Sequence, residues 1–228
     1  MLKLQQLTKV YQADEVETVA LDSVDVEIAT GEFVAVIGPS GCGKSTLLNI
    51  VGMLDSPSSG RFEFLGEDVT HYAERQLSEI RKRNIGFIFQ SFNLIEELTV
   101  EENIEVALLY HDVPRATRRE RVAGVMEKMG ISHRARHRPV QLSGGQQQRV
   151  AIARAVVGQQ KLILADEPTG NLDSAHGKEV MNMLRALNAE GTTIVMVTHS
   201  AEHSAYADRV VNLFDGRVAA ENPRIAAG

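Results

Sequence analysis

A glycine-rich loop between an apolar pentapeptide and an amphipathic segment constrains the fold of this chain more than any other feature. It reads Gly38-Pro39-Ser40-Gly41-Cys42-Gly43-Lys44-Ser45-Thr46, which meets the pattern of one glycine, four residues and then Gly-Lys-Ser/Thr. A predicted strand, 33–37, precedes the loop and a predicted helix, 44–53, follows it. Glycines let backbone N–H groups converge on phosphate oxygens, and the helix N-terminus adds a favourable dipole. The sequence therefore predicts an α/β domain in which this loop binds phosphate groups.

A second motif places two carboxylates directly after an apolar strand. The run Leu162-Ile163-Leu164-Ala165 is followed by Asp166 and Glu167, and ligands collect at the carboxyl ends of strands in open α/β sheets. We predict that Asp166 and the Ser45 hydroxyl contribute to a Mg²⁺ site, and that Lys44 reaches the β- and γ-phosphates. Glu167 then suits the general base that activates the attacking water. Without the glycine-rich loop, the same pair would indicate only a solvated strand end.

The order of the predicted elements indicates a mainly parallel sheet. Strand candidates are rich in β-branched residues and bounded by Gly, Asp or Asn, at 19–28, 33–37, 85–89, 161–165, 192–197 and 209–214. Helix candidates alternate with them at 44–53, 144–157 and 174–190. Four of the strands are apolar along most of their length, as strands covered on both faces are. This alternation favours an α/β core.

The segment from about 91 to 140 differs because it carries helical signals only and an asymmetric charge. Its acidic residues come first and its basic residues second, although a solvated surface explains such a pattern most simply. They are Glu96, Glu97, Glu101, Glu102 and Glu105, then Arg115, Arg118, Arg119, Arg121, Lys128, Arg134, Arg136 and Arg138. We predict a helical subdomain inserted into a single domain that spans 1–228, with a loose tail over 221–228.

Composition narrows the class of protein. The net charge of -6 argues against bulk nucleic-acid binding, which usually needs a basic excess. A single cysteine, Cys42, excludes an intrachain disulfide and fits a reducing cytoplasm. The chain shows neither the pattern of a signal peptide nor an apolar run near the roughly 20 residues that cross a bilayer. We therefore expect a protein that does not cross a membrane by itself but could sit on one through a partner.

A third motif supplies a second anion site. Leu142-Ser143-Gly144-Gly145-Gln146 opens a predicted helix with a serine hydroxyl and flexible glycines. Here the chain resembles the ABC ATPases, whose signature is Leu-Ser-Gly-Gly-Gln. Two phosphate-binding loops beside one hydrolytic site need a second molecule, and the resemblance supplies it. Two copies pair head to tail, and Ser143, Gly144, Gly145 and Gln146 of one close over the ATP held by the other.

The resemblance covers essentially the whole chain and implies further roles and the fold. Gln90 matches the glutamine that touches Mg²⁺ and senses the membrane partner, and His199 matches the histidine at the γ-phosphate. Asp173 matches the loop that crosses the dimer interface, and Tyr11 matches the aromatic residue that stacks on adenine. Simpler interpretations exist for three of them. Gln90 could be a polar strand cap, His199 a structural histidine and Tyr11 a packing residue. The implied fold is a P-loop NTPase core with an N-terminal antiparallel β region and the inserted helical subdomain.

Finer resemblance points to the macrolide-export and lipoprotein-release ATPases. The strings that carry it are Leu54-Asp55-Ser56-Pro57-Ser58-Ser59-Gly60, Gly86-Phe87-Ile88-Phe89-Gln90-Ser91-Phe92-Asn93-Leu94 and Asp166-Glu167-Pro168-Thr169-Gly170-Asn171-Leu172-Asp173-Ser174. Many importer ATPases carry a Ser-Ala-Leu-Asp version of the last of these loops, and this chain does not. The branch implies an ATP-hydrolysing subunit at the cytoplasmic face of the inner membrane. There it would drive a separate membrane permease, in export or in lipoprotein or peptide extrusion, with a cargo that the sequence does not name.

Two other classes compete with this interpretation. A soluble ABC-type ATPase of DNA maintenance or translation usually carries a long coiled-coil insertion or a second fused ATPase domain. Neither fits in 228 residues, and no heptad run is present. A small-GTPase-like switch would share the glycine-rich loop, but it leaves the Leu-Ser-Gly-Gly-Gln string and His199 unexplained.

Two local predictions concern the surface of the site. Phe92, Leu94, Ile95 and Leu98 form an apolar cluster after Gln90, which suggests a docking groove for a short helix of the membrane subunit. Packing within the helical subdomain is the alternative. Separately, the Cys42 thiol should be unusually reactive if it is exposed, because convergent N–H groups and Lys44 favour the thiolate.

Overall fold

The structure is a computed structural model that describes residues 1–13 and 16–223. Its strands are β1 Leu2–Ala13, β2 Val16–Ile28, β3 Phe33–Ile37, β4 Ser59–Phe64, β5 Glu67–Asp68, β6 Ile85–Phe89, β7 Leu162–Asp166, β8 Thr193–Val197, β9 Arg209–Phe214 and β10 Arg217–Pro223. Its α-helices are α1 Lys44–Val51, α2 Glu74–Asn84, α3 Val100–Glu105, α4 Arg115–Lys128, α5 Gly144–Val156, α6 Ser174–Ala189 and α7 Ala201–Ser204. Short 3₁₀ turns lie at Val106–Leu108, Ser132–Arg134 and Pro139–Gln141.

Within the described ranges the strands form two sheets. The first is antiparallel and has the order β2-β1-β4-β5. The second has the order β10-β9-β3-β8-β7-β6, in which β10 runs antiparallel to β9 and the other neighbours are parallel. The predicted fold class is therefore confirmed, with a mainly parallel α/β sheet and an N-terminal antiparallel region.

Covering layers on both faces of the second sheet explain why its strands are apolar throughout. In β3, Val34 and Val36 face the cluster that packs against α1 and the antiparallel sheet. Phe33 and Ala35 face the opposite cluster, which is built with α3, α4, α5 and α6. Side chains alternate between the faces of a strand, so a strand covered on both sides has no polar face. β3 is therefore packed on both faces, and the glycine-rich loop begins directly at its carboxyl end.

The segment between β6 and β7 forms helices, as predicted, but begins with an irregular stretch. Phe92 and Asn93 adopt positive φ angles of 61° and 48°. Their carbonyl oxygens accept hydrogen bonds from the Arg154 guanidinium of α5, at 2.9 and 2.7 Å. These bonds fasten the start of the helical segment to α5. Further along, α3 and α4 pack on α5, and an ion pair joins Arg118 to Glu105.

The predicted loose tail is wrong for its first residues. The backbone at 221–223 belongs to β10, where Glu221 pairs with Val211 and Pro223 with Arg209. The turn before β10 contains Asp215 and Gly216 with φ angles of 45° and 74°, and Asp-Gly is a strong signal for a hairpin. Residues 224–228 lie outside the described part of the chain. Across 1–13 and 16–223, no helix combines the length and the apolar character needed to span a membrane.

Candidate active site

The register of the parallel sheet brings four strand ends to one level. Phe89 of β6 pairs with Asp166 of β7, Asp166 pairs with Val197 of β8, and Val197 pairs with Val36 of β3. The loops after these strands therefore leave the same edge side by side, which is where ligands bind in such sheets. The predicted site residues that follow the four ends are Gly38, Gln90, Glu167 and His199.

The phosphate loop, 38–46, depends on glycine at two positions. A Cβ at Gly38 would lie 2.1 Å from the Leu213 carbonyl oxygen, and a Cβ at Gly43 would lie 2.3 Å from that of Ala20. Gly43 also has a φ of 102°, a conformation that other residues rarely adopt. The backbone of the loop thus packs directly against neighbouring backbone. That close packing leaves a narrow, main-chain cradle at the start of α1.

Lys44 lies across this cradle. Its Nζ donates to the carbonyl oxygens of Gly38 and Pro39, at 2.8 and 2.7 Å. Two backbone carbonyl oxygens therefore hold the ammonium group over the loop. The Cys42 Sγ lies 3.9 Å from Nζ, but the residue is only 4% exposed. The condition set for a reactive thiol is not met, because the chain folds the Cys42 side chain into the core.

Asp166 and Ser45 meet beside the loop. The Ser45 side chain lies close enough to the Asp166 carboxylate to affect its pKa. Partial burial raises the pKa of Asp166, and the adjacent Glu167 carboxylate raises it further, whereas Ser45 and Lys44 act in the opposite direction. The net pKa lies above its ordinary value. A carboxylate and a hydroxyl that face each other in this way form an oxygen donor pair that a divalent cation would stabilise.

Glu167 and His199 form a direct contact. Glu167 Oε1 lies 2.8 Å from His199 Nδ1, and the side chains are 16% and 74% exposed. The Glu167 backbone has a φ of 47°, and its N–H donates to the Val197 carbonyl at 3.0 Å. A left-handed conformation is strained for a residue other than glycine and often marks a functional position. Here the conformation directs the carboxylate toward the loop after β8.

Gln90 is held by a residue that the sequence interpretation had given no role. Gln90 Nε2 donates to Asn171 Oδ1 at 3.3 Å, and Asn171 Nδ2 donates to the Gln90 carbonyl at 3.1 Å. A Cβ at Gly170 would lie 2.7 Å from Gln90 Nε2. The loops after β6 and β7 are thus joined by reciprocal hydrogen bonds. The sequence did contain a signal for this residue, because Asn171 lies inside the string from Asp166 to Ser174 that carries the finer resemblance.

Tyr11 lies close to the phosphate loop at the end of β1. Its side chain interacts with that of Thr46, in the first turn of α1. Its Oη donates to Asp55 Oδ2 at 2.8 Å, and the residue is 40% exposed. The structure therefore places an accessible aromatic ring beside the phosphate loop. Its partner Asp55 lies in a string that carried the finer resemblance but had been given no role, and Lys9 had not been singled out.

The signature loop, 142–146, lies elsewhere on the chain. It opens α5, which packs on the face of the parallel sheet opposite to α1. Gly145 packs against His176, to whose ring a Cβ would come within 2.5 Å. His176 Nδ1 in turn lies 2.7 Å from Asp173 Oδ2. The structure thus groups the signature loop with Asp173, Asp166 with Ser45 and Lys44 of the phosphate loop, Glu167 with His199, and Gln90 with Asn171.

The sheet order, the phosphate loop and the carboxylates after β7 together define a P-loop nucleotide-binding domain. Within that class, residues 21–170 match the ABC transporter family. The chain belongs to the ABC transporter family, and it is an ATP-binding, ATP-hydrolysing cassette.

Named relatives agree with this assignment. The chain is 47% identical over 221 residues to the "Macrolide export ATP-binding/permease protein MacB" of Azoarcus sp., covering 97% of this chain and 34% of that protein. It is 46% identical over 218 residues to the "Uncharacterized ABC transporter ATP-binding protein YknY" of Bacillus subtilis, covering 96% and 95%. The chain therefore spans about a third of the macrolide export relative but nearly all of the second.

A solved structure shares the fold over almost its whole length. It is titled "Dimeric structure of a post-hydrolysis state of the ATP-binding cassette MJ0796 bound to ADP and Pi". The TM-score is 0.90 at 42% identity, and the alignment covers 98% of each chain.

Proposed function

We propose that this chain acts as a single nucleotide-binding domain, 1–228, which pairs head to tail with a second copy and hydrolyses ATP at the interface. The separation of the signature loop from the phosphate loop carries the proposal. Each loop presents a helix N-terminus suited to phosphate, but within one chain α1 and α5 pack on opposite faces of the parallel sheet. A second copy brings the missing loop to each site. The dimeric cassette described above supports this arrangement.

In the proposed site, one copy holds the nucleotide through its phosphate loop and Tyr11. The loop Gly38, Pro39, Ser40, Gly41, Cys42, Gly43, Lys44, Ser45 and Thr46 surrounds the phosphates, with backbone N–H groups from every residue except Pro39, and the Tyr11 ring stacks on adenine. The other copy contributes the signature residues Ser143, Gly144, Gly145 and Gln146, together with Asp173. Asp173 caps α6 through the His176 N–H at 3.0 Å, so its loop has a defined conformation before pairing.

Mg²⁺ fits the oxygen donors next to the phosphate loop. Ser45 lies beside Asp166, and Gln90 follows Phe89, whose backbone pairs with that of Asp166. Hard oxygen ligands of this kind suit Mg²⁺, which keeps several waters and bridges to phosphate. When bound, the cation neutralises charge on the β- and γ-phosphate oxygens. It would also favour the ionised form of Asp166, whose pKa is otherwise raised.

Glu167, His199 and Gln90 carry the proposed chemistry. Glu167 accepts a proton from water while the water oxygen bonds to the γ-phosphorus, and the bond from that phosphorus to the β–γ bridging oxygen breaks. His199 holds the Glu167 carboxylate through the 2.8 Å contact and reaches toward the γ-phosphate. Gln90 orients the water and, through Asn171, links the β6 loop to the catalytic loop.

We further propose that hydrolysis drives an integral membrane permease, with this chain on the cytoplasmic face of the membrane. A groove of about 670 Å³ beside β6 supports a docking site, and Phe87, Tyr110 and His111 are among the residues that line it. Tyr110 is 71% exposed. The residues of the apolar cluster after Gln90 do not all behave alike. Leu94 packs on the helical core, which favours packing within the helical subdomain, whereas Ile95 is 40% exposed, which favours docking.

The macrolide export relative supports export or extrusion as the process. Nucleic acid is not among the partners that we propose. The soluble alternative in DNA maintenance or translation finds no support in the family and the relatives named above.

Glu167→Gln tests the proposal. The amide keeps the size of the side chain but cannot accept the proton, so hydrolysis should fall on the order of a hundredfold to ten-thousandfold. ATP binding should persist, and a closed dimer with trapped ATP should accumulate. Phosphate release and size-exclusion chromatography with Mg-ATP measure the two effects.

Glu202→Gln, which changes an exposed carboxylate in α7, serves as the matched control and should behave as the unsubstituted protein. Residual activity of Glu167→Gln above roughly a tenth would contradict a general base at this position. An inactive variant that stays monomeric with ATP would contradict the head-to-tail dimer.

A further inference from the structure

Tyr11 is fixed by more contacts than an aromatic residue at a strand end needs. Its Oη donates to Asp55 Oδ2 at 2.8 Å, and Lys9 Nζ donates to Asp55 Oδ1 at 2.6 Å. Lys9 Nζ also donates to the Ser56 carbonyl at 2.8 Å and lies over the Tyr11 ring, 4.8 Å from its centroid. Lys9, Tyr11 and Asp55 form a closed cluster, here called the Tyr11 anchor.

The Tyr11 anchor joins β1 to the helix that begins at the phosphate loop. The backbone N–H groups of Leu54 and Asp55 donate to the carbonyl of Asn49 in α1, at 2.8 and 3.3 Å. At the other end of α1, Thr46 interacts with the Tyr11 side chain. The position of the ring is therefore set by contacts with both ends of the helix that carries the phosphate loop. The Tyr11 anchor and α1 together therefore fix the distance between the Tyr11 ring and the phosphate loop.

Charge and burial keep the anchor closed. The side chains of Lys9 and Asp55 are only 13% and 29% exposed, although both are charged. Burial raises the pKa of Asp55, but hydrogen bonds from Lys9, Tyr11 and Ser56 outweigh it, and the net pKa is lowered. Burial and the Asp55 hydrogen bond raise the pKa of Tyr11, so its phenol keeps the proton that it donates. With Lys9 over one face of the ring, a flat ligand stacks on the opposite face.

We propose that Lys9 and Asp55 are positioning residues that hold the Tyr11 ring at a fixed place relative to the phosphate loop and so set the affinity for the purine base. The inference rests on the proposed function, in which Tyr11 stacks on adenine. A ring that is already ordered loses little side-chain entropy when the base stacks, whereas a free ring must be ordered by the ligand. The anchor therefore acts on binding of the base, not on the chemistry at the γ-phosphate.

The test compares Mg-ATP with Mg-tripolyphosphate, which carries three phosphates but no base. Asp55→Asn, Lys9→Met and Tyr11→Phe are made in the full chain, and binding of both ligands is measured by calorimetry. Each variant should bind ATP about three- to tenfold more weakly, because a hydrogen bond or contact with a charged partner is lost. Affinity for tripolyphosphate should not change. In steady-state hydrolysis, KM for ATP should rise while kcat stays the same.

Matched controls lie in the same part of the chain. Lys3→Met removes a lysine of β1 whose ion pair with Glu27 is long, at 3.8 Å, and exposed. Tyr72→Phe removes a phenol that donates to Glu67 at 3.3 Å. Both should bind ATP as the unsubstituted protein does. Tyr11→Phe keeps the ring and removes one oxygen, so it gives a folded test even if Asp55→Asn does not fold.

Two results would overturn the inference. One is unchanged ATP affinity in Tyr11→Phe and in the folded anchor variants. The other is an equal loss of affinity for ATP and tripolyphosphate, which would show that the anchor supports the phosphate loop alone. Failure of the proposed function looks different, because the unsubstituted protein would then neither bind nor hydrolyse ATP.

Discussion

The phosphate loop and the signature loop both open helices, but they treat the first turn of those helices differently. α1 follows Gly43, and among the described residues no side chain caps it. α5 follows Ser143, whose Oγ accepts from the Gln146 N–H at 3.4 Å while Gln146 Oε1 accepts from the Ser143 N–H at 3.1 Å. The first N–H groups of any helix lack partners within it. α1 leaves those groups to a ligand, whereas α5 partly satisfies its own.

This difference separates a site that binds an anion by itself from one that completes a site elsewhere. The phosphate loop adds the positive charge of Lys44 to its open N–H groups, but the signature loop adds only neutral side chains. We infer that a single copy holds ATP through its phosphate loop, and that the signature loop engages only when ATP is already in place. Variants that damage one loop and spare the other test this comparison.

The largest effect should come from Lys44→Ala. The substitution removes the ammonium group that would contact the phosphates, along with its hydrogen bonds to Gly38 and Pro39. Charge-assisted hydrogen bonds are strong, so affinity of a single copy for ATP should fall about a hundredfold. Calorimetry with Mg-ATP measures the loss. Lys161→Ala, which removes an exposed lysine just before β7, is the control and should bind normally. Unchanged ATP affinity in Lys44→Ala would remove the contrast between the two loops.

A smaller and different effect is expected from Ser143→Ala. ATP binding to a single copy should be normal, but the ATP-trapped dimer seen in the Glu167→Gln background should become at least about tenfold less stable. Loss of the cap should also lower stability by about 1 kcal/mol. Thr99→Ala removes the same kind of reciprocal cap, from α3, and controls for that loss. If Ser143→Ala weakens ATP binding by the single copy, the signature loop belongs to its own chain's site.

The parts of the fold that were predictable from sequence are those whose residues are constrained on both faces. β3 and β6 begin and end where predicted, because burial makes them short, continuous runs without polar side chains. β9 also matches its predicted bounds, although it contains Arg209 and Asn212. α2 was missed, since Leu77 is its one fully buried side chain in a polar sequence. α1 ends at Val51, two residues before the predicted end, and Gly52 follows as its cap.

For the site, the motifs predicted which residues lie at the carboxyl edge but not what holds them there. Glu167 and His199 followed predicted strands, and the parallel register then required their loops to be neighbours. Lys9 and Asp55 are 46 residues apart and sit in ordinary polar contexts. No periodicity or motif connects them, and only the pairing of β1 with β4, in which Thr8 lies opposite Ser59, brings them together. Contacts between distant loops leave no local pattern in the sequence.

The smallest predicted effect concerns the cost of assembling the site around Asp166. Burial and the Glu167 carboxylate raise its pKa, so the folded protein binds this proton more tightly than the unfolded chain does. The stability that this group contributes is therefore fully present below the unfolded pKa, and it is lost as pH rises through the folded pKa.

Asp166→Asn has no such loss. At neutral pH without Mg²⁺, it should raise the melting temperature by about 2–4 °C, the shift expected for about 1 kcal/mol in a chain of this size. The gain should shrink as pH falls, and Mg²⁺-dependent hydrolysis should disappear. Thermal unfolding from neutral to acidic pH measures it, with Asp68→Asn, an exposed carboxylate whose pKa is lowered, as the control of opposite sign. If the melting temperature of Asp166→Asn at neutral pH equals or falls below that of the unsubstituted protein, the ionised Asp166 beside Glu167 does not destabilise the fold. The residues around the phosphate loop would then cost no more folding free energy than the signature helix, which caps itself.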